Sequence, residues 1–206
     1  MLKQDVVVLD NLRPIYALLP LVDGDGQMVP SLAHGASSKA GSIVIRQAEI
    51  RRALPSEAAN LSALALRSKA LWGYDAVFLE ACRAPLTVDP EMIAKCPYYV
   101  LDEGGTITGF YGLSGQPPRG EIEFLFVEPE SVRSGRGQRL TRHLLALARS
   151  LGFEEMDVSA DPSAETFYMA MGAVRIAEVP SDAIPNRLIP RLRFSLLTDR
   201  VTAPSV

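Results

Sequence analysis

Residues 121–151 read EIEFLFVEPESVRSGRGQRLTRHLLALARSL, and this stretch decides the fold. It opens on an apolar and aromatic run that ends at Val127, Glu128 and Pro129, the pattern of a buried strand. Leu140, Leu144, Leu147, Ala148 and Leu151 then recur at helical spacing. Gly135 and Gly137 therefore fall where the helix begins. The first N–H groups of a helix lack partners, its dipole is positive there, and glycine lets a ligand approach the backbone closely. The turn from Ser134 to Gly137 is thus a seat for an anion, a phosphate group among the natural guests. Arg133, Arg136 and Arg139 flank it; each cation in a first helical turn opposes the dipole by roughly 0.3–1 kcal/mol, a cost that a bound phosphate reverses. The same residues also fit a solvated arginine face over an ordinary tight turn. A dinucleotide fingerprint needs a third glycine where Leu140 stands, and no Lys-Ser/Thr pair follows to make a Walker loop.

Upstream, residues 98–101, 107–113 and 121–127 are short β-type runs separated by Glu103-Gly104-Gly105 and by Pro117, Pro118 and Gly120, which predicts a meander. Before it, residues 43–50 read as a strand. Residues 55–69 read as a helix with Ala58, Leu61, Leu64 and Ala65 in one apolar stripe, broken by Trp72, Gly73 and Tyr74. Asp75 is placed to cap a helix through Cys82, and Asp89 with Pro90 starts another through Lys95. Downstream, a helix over 134–151 leads to a strand at 156–158, and one over 164–171 leads to a strand at 173–179; the chain closes on 189–196. Early strands and late alternation predict a mixed α/β sheet flanked by helices.

The 206 residues are 48% hydrophobic and 22% charged, enough for one good core. Residues 1–42 read as an N-terminal extension, because Gly, Ser and Ala dominate from Asp23 to Ser42, and residues 43–206 as the working domain. Asp5, Asp10 and Arg13 interrupt every early apolar run, so neither an export signal nor a membrane span is expected. A net charge of −3 argues against broad nucleic-acid binding. Cys82, Cys96, His34 and His143 share no metal-ligand spacing; no metal is expected, and a reduced, cytoplasmic setting fits.

Two blocks carry a resemblance. Val127, Pro129, Gly135, Gly137 and Leu140 follow a V-x-P, then G-x-G/A, pattern, and Asp161, Pro162, Ala164, Phe167, Tyr168 and Gly172 follow N-P-x-A-x-x-F/L-Y-x-x-x-G in register. Together they resemble the signature of the GNAT superfamily, the acetyl-CoA-dependent N-acetyltransferases, over most of residues 43–196. The tail with Pro185, Asn186, Arg187 and Pro190 is similar to the closing segment of a bacterial subgroup acting on small or uncharacterised substrates. The resemblance implies a mainly antiparallel mixed sheet with a splayed parallel strand pair holding the cofactor. It implies acetyl-CoA as acyl donor and cofactor contacts at Phe126, Val127, Arg133, Ser134, Gly135, Arg136, Gly137, Gln138, Arg139, Asp161, Ala164 and Phe167. The sequence departs from the pattern at Val132, where relatives usually carry Arg or Gln, at Arg133, often glycine, and at Asp161, usually Asn.

Acetyl transfer from a thioester to an amine needs a neutral amine, a donor for the developing oxyanion and a proton for the leaving thiolate. By resemblance, a bulged strand presents the Val127 N–H to the carbonyl, and Tyr168 is the general acid; a core tyrosine with a satisfied hydroxyl is the other reading. Glu121 and Glu123 are expected on one face of the strand, with Ile122, Phe124 and Phe126 on the other. Glu123 is a candidate base, or else a solvent-facing or arginine-paired glutamate. Trp72, Tyr74, Phe78 and Glu80 are expected to line the acceptor pocket, by cation–π contact and charge, although Phe78 equally reads as core. Cys82 reads as a small buried residue and His143 as a surface one. The expected function is transfer of acetyl to a primary amine of a small molecule, and a homodimer is compatible with it. The competing reading is a non-catalytic acyl-CoA sensor.

Overall fold

A computed structural model describes residues 48–197. The expectations for residues 1–42, and for the first part of the strand at 43–50, lie outside the described residues. β1 (Ala48–Arg52) leads through a single 3-10 turn at Pro55–Glu57 into α1 (Ala58–Ala70), whose buried positions include Ala58, Leu61, Leu64 and Ala65, the predicted stripe. α1 ends where Gly73 takes φ +75°. The Asp75 carboxylate accepts from the Phe78 N–H to start α2 (Ala76–Arg83), and Asp89 accepts from the Glu91 N–H to start α3 (Pro90–Lys95). Caps of this kind are worth about 1 kcal/mol each.

The meander is β2 (Tyr98–Glu103), β3 (Thr106–Gln116) and β4 (Arg119–Val127). α4 (Arg136–Ser150), β5 (Glu155–Ser159), α5 (Glu165–Ala170), β6 (Val174–Pro180) and β7 (Leu188–Ser195) complete the chain. One seven-stranded sheet runs in the order β1-β2-β3-β4-β5-β7-β6. Every neighbouring pair is antiparallel except β4 and β5.

Helices cover both faces of the sheet, so β2 is buried throughout Tyr98–Asp102. Tyr99, Leu101, Tyr111 and Leu113 pack with Leu140, Leu144 and Leu147 of α4. Tyr98, Val100 and Phe110 pack with Leu61 and Leu64 of α1 and Ile93 of α3. The α4 leucines are almost wholly buried, and cutting any one to alanine costs about 2–5 kcal/mol.

Two expectations are corrected here. The β3–β4 register jumps from Leu113 opposite Ile122 to Gly112 opposite Phe124, so Glu123 is an extra residue in a β-bulge. The bulge resets the alternation: Ile122 belongs to the α4 side, with Leu125 and Val127, while Phe124 and Phe126 pack on the α1 side. Ile122 therefore does not share a face with the two phenylalanines. His143 is buried in the core rather than at the surface, with its Nδ1 2.7 Å from the Tyr111 hydroxyl and its ring against Tyr99.

Candidate active site

β4 and β5 pair only from Arg119 opposite Glu155 to Glu121 opposite Asp157. β4 continues to Val127 and β5 to Ser159 without pairing, so the two strands part and a cleft opens between them. The cleft has a volume of about 700 Å³. Ile122, Glu123, Leu125, Phe126 and Val127 form one wall, Val158 to Asp161 another, and Tyr168 of α5 contributes to the lining.

The backbone along β4 has a defined polarity. Glu128 donates its N–H to Thr108 O across β3. Hydrogen-bonded and non-bonded pairs alternate in an antiparallel ladder, so the Phe126 N–H also faces β3, while the N–H groups of Leu125 and Val127 turn toward the gap. Val127 thus presents an unladdered donor to the cleft. The bulge that sets this pattern lies four residues earlier, at Glu123, and not at Val127 itself.

The start of α4 forms the second element. The first helical bond is Arg139 N–H to Gly135 O, which leaves the N–H groups of Arg136, Gly137 and Gln138 without helical acceptors. Gly135 adopts φ +85°, and a Cβ added there would meet nothing within 4 Å. Arg133 is also left-handed, at φ 62°. Glycine takes such a conformation without strain and arginine does not, so the departure at this position carries a backbone cost. Val132, Arg133, Gly135, Gly137 and Gln138 line the cleft, and a Cβ on Gly137 would lie 3.4 Å from the Phe167 ring.

Several predicted cofactor contacts point elsewhere. The Arg136 guanidinium is held 2.7 Å from the Glu103 carboxylate, Arg139 donates to the Ala48 carbonyl at 2.8 Å, and the Ser134 hydroxyl donates to Ser131 O. Of the three arginines only Arg133 lines the cleft. Phe126, Val127, Asp161, Ala164 and Phe167 all do.

Tyr168 is 6% exposed, its ring edge-on to Phe167 and Phe194. It belongs to the core cluster and also lines the cleft, and its hydroxyl makes no hydrogen bond among the described residues. Burial pushes its ionisation well above the ordinary tyrosine value. Glu123 is exposed to the cleft and accepts from the Ser114 hydroxyl.

Of the three aromatic residues expected on the acceptor side, one, Trp72, lines the cleft. Tyr74 and Phe78 do not; their rings stack on each other at 3.9 Å, with the Lys69 ammonium and the Arg187 guanidinium against them. Glu80 is corrected: it is exposed on α2 and pairs with Arg83 one turn on, away from the cleft. The sequence reading missed Lys69 and Arg187, which line the cleft beside Asp161. Lys69 Nζ is 2.5 Å from the Asp161 carboxylate, the Tyr74 hydroxyl donates to the same carboxylate at 2.9 Å, and the Ser163 N–H caps it at 2.9 Å. Burial alone would raise the Asp161 pKa, but the hydrogen bonds from Lys69 and Ser163 hold it below the usual carboxylate range. Burial raises the neighbouring Cys82 thiol. Among the described residues no group of three His, Cys, Asp or Glu side chains is placed to hold a metal ion, and no helix is long and apolar enough to cross a membrane.

A mainly antiparallel sheet parted at its single parallel pair, with a glycine-started helix at the opening, is the architecture of an acyl-CoA-dependent acetyltransferase. The chain belongs to the acetyltransferase (GNAT) family, whose model matches residues 67–173, more than half of the sequence. No curated protein matches it in sequence. Its fold is similar to that of a GCN5-related N-acetyltransferase from Rhodopseudomonas palustris, with a TM-score of 0.61 and 24% identity over 75% of this chain and 99% of that one. It is similar also to the PaiA N-acetyltransferase from Thermoplasma acidophilum, solved with coenzyme A, with a TM-score of 0.61 and 16% identity over 73% of this chain and 99% of the other. The yncA protein from Salmonella typhimurium, solved with its cofactor acetyl-CoA, gives a TM-score of 0.55 and 18% identity over 78% of this chain and 99% of that one. At these identities the likeness is one of fold.

Proposed function

We propose that this protein moves the acetyl group of acetyl-CoA to a primary amine of a small molecule by direct attack, an activity assigned to residues 43–206. The observation that carries the reading is the Val127 N–H, turned out of the β3 ladder into the β4–β5 gap. Bound there, acetyl-CoA supplies an acetyl thioester. The N–H groups of Arg136, Gly137 and Gln138, with the Arg133 side chain, hold its pyrophosphate. The Val127 N–H donates to the carbonyl oxygen as charge develops on it, the kind of fixed donor worth about 2.7–4 kcal/mol in acyl transfer. Glu123 accepts a proton from the acceptor ammonium, directly or through one water, because an amine with a pKa near about 10.4 must lose one before it attacks. As the amine nitrogen bonds to carbon and the carbon–sulfur bond breaks, Tyr168 gives its proton to the thiolate, and the surplus proton on the nitrogen passes through water to restore the phenol, so the one proton released overall is the one Glu123 took from the ammonium. The Tyr168 hydroxyl is neutral at pH 7 and makes no hydrogen bond among the described residues.

The test is release of free thiol from acetyl-CoA across an amine panel, paired with calorimetric binding of acetyl-CoA to the wild type and to Gly135→Glu. The expected result is amine-dependent thiol release, with binding and turnover both lost in the variant. Acetyl-CoA binding without thiol release from any amine would overturn the catalytic reading.

A further inference from the structure

The cleft is electrically lopsided on the side built by α1, α2 and the β6–β7 loop. Lys69 and Arg187 both face it, and one carboxylate, Asp161, serves both. That carboxylate is already occupied by Lys69, Tyr74 and the Ser163 N–H, and it lies 3.5 Å from the nearest Arg187 nitrogen. The Arg187 side chain makes one hydrogen bond among the described residues, from Nη2 to the Tyr74 hydroxyl at 2.7 Å. Its Nε and Nη1 donors are left over. The guanidinium is nonetheless fixed, lying 4.8 Å from the Phe78 ring centroid and 5.1 Å from that of Tyr74. The side chains of Lys69 and Arg187 are only 15% and 20% exposed, so their surplus positive charge is weakly solvated. A half-buried cation pair sharing one carboxylate, with spare planar donors, is a receptor for a second anion.

The same cleft carries an acid, Glu123, on β4. A positive corner and a separate carboxylate suit a ligand bearing both charges. Resting on the acetyltransferase reading, we propose that the acceptor is an amine that also carries a small anionic group, a carboxylate or a phosphate. Lys69 and Arg187 bind that group while the amine faces Glu123. Lys69 and Arg187 are then the residues that select the substrate class, and Tyr74, Phe78 and Asp161 position Arg187. Neutral amines and polyamines are poor acceptors because they leave the surplus charge unmatched or oppose it.

The experiment compares acceptors of matched length: 4-aminobutyrate, 3-aminopropylphosphonate, 4-aminobutyramide and butylamine, each as acceptor in the thiol assay and as ligand by calorimetry with coenzyme A present. The expected result is that one of the two anionic amines exceeds both neutral ones in kcat/KM and in affinity by about tenfold to a hundredfold, the value of a charge-assisted contact. Whichever of carboxylate and phosphonate is preferred names the group. Arg187→Gln should raise KM for the preferred anionic amine by a similar factor, and by far more than it changes KM for butylamine or the affinity for acetyl-CoA, and Arg187→Lys should recover part of the loss. Equal use of charged and neutral amines would overturn the inference and leave the acetyltransferase reading standing. Preferential binding of an anionic amine without any turnover would do the reverse. An Arg187→Gln variant that loses acetyl-CoA instead of the acceptor would assign the cations to the cofactor and overturn the inference.

Discussion

The Asp161 carboxylate lies 2.5 Å from the Lys69 ammonium, joining the loop after β5 to the last turn of α1 across the wall of the cleft. Both side chains are less than one-sixth exposed, and the carboxylate also receives the Tyr74 hydroxyl. The aspartate at this position is therefore a structural tie as well as a cleft residue.

Asp161→Asn should cost about 2 kcal/mol at neutral pH, less than the loss of a fully buried pair, because Lys69 and Arg187 keep some access to water. The native carboxyl is held below its unfolded value. Its contribution is therefore complete above the unfolded pKa of about 3.9 and lost as pH falls through the lower folded value. Urea midpoints of wild type and variant should stay a constant distance apart from pH 7 to about pH 4 and draw together only below that. Midpoints that coincide at neutral pH would show that the tie contributes nothing.

Arg133 occupies a left-handed conformation at φ 62° and faces the cleft. Such strain in a non-glycine residue costs about 1–2 kcal/mol. Arg133→Gly should relieve it and raise stability by up to about 1 kcal/mol, while Arg133→Ala keeps the strain. Both should weaken acetyl-CoA binding, since both remove the cleft-facing cation. Thermal melts and calorimetry on the pair separate the two effects, and unchanged affinity in both variants would remove Arg133 from the pyrophosphate site.

What could be read in advance follows the range of the forces involved. The helix stripe at Leu61 and Leu64, the caps at Asp75 and Asp89, and the glycine start of α4 are local, and each appears as expected. The Glu123 bulge was hidden because strict alternation assigns Ile122 and Phe124 to one face, and only the pairing with Leu113 and Gly112 shows the extra residue. His143 resembles any mid-helix histidine until Tyr111, 32 positions away, meets its ring. Arg136 and Arg139 looked available for phosphate because Glu103 and the Ala48 carbonyl reach them from distant strands. Lys69 stands in no motif, and Arg187 stands in the tail resemblance with no role attached to it: they come from α1 and from the β6–β7 loop, and only the fold brings both to Asp161.

Gly109 stands opposite Val127 on β3. A Cβ there would fall 2.8 Å from Leu140 Cδ1, 2.9 Å from Val127 Cγ1 and 3.0 Å from the Phe126 carbonyl oxygen. The last of these is a backbone atom, in the same peptide group as the Val127 N–H, and can shift only by moving β4. Gly109→Ala should therefore destabilise by about 1–3 kcal/mol and displace the Val127 N–H, lowering kcat by at least tenfold in the folded enzyme. Steady-state kinetics well below the variant's Tm make the check; an undiminished kcat would mean that the position of Val127 is not critical.

Tyr168→Phe separates an enzyme from an acyl-CoA sensor. The hydroxyl makes no hydrogen bond among the described residues, so its removal leaves no partner stranded, and stability should stay level or rise slightly. Burial holds the phenol neutral well beyond the ordinary range, so it keeps its proton for the thiolate at any pH near 7 and adds no limb to the rate profile there. Loss of a general acid typically costs about 100-fold or more in rate. The variant should accordingly bind acetyl-CoA with unchanged affinity and release thiol at least about 100-fold more slowly. The deficit should shrink for thioesters whose thiolate leaves without protonation, such as those of an electron-poor aryl thiol, because the acid then has less to do. A Tyr168→Phe protein as fast as wild type with acetyl-CoA would assign the proton to water and leave Tyr168 as a wall of the cleft.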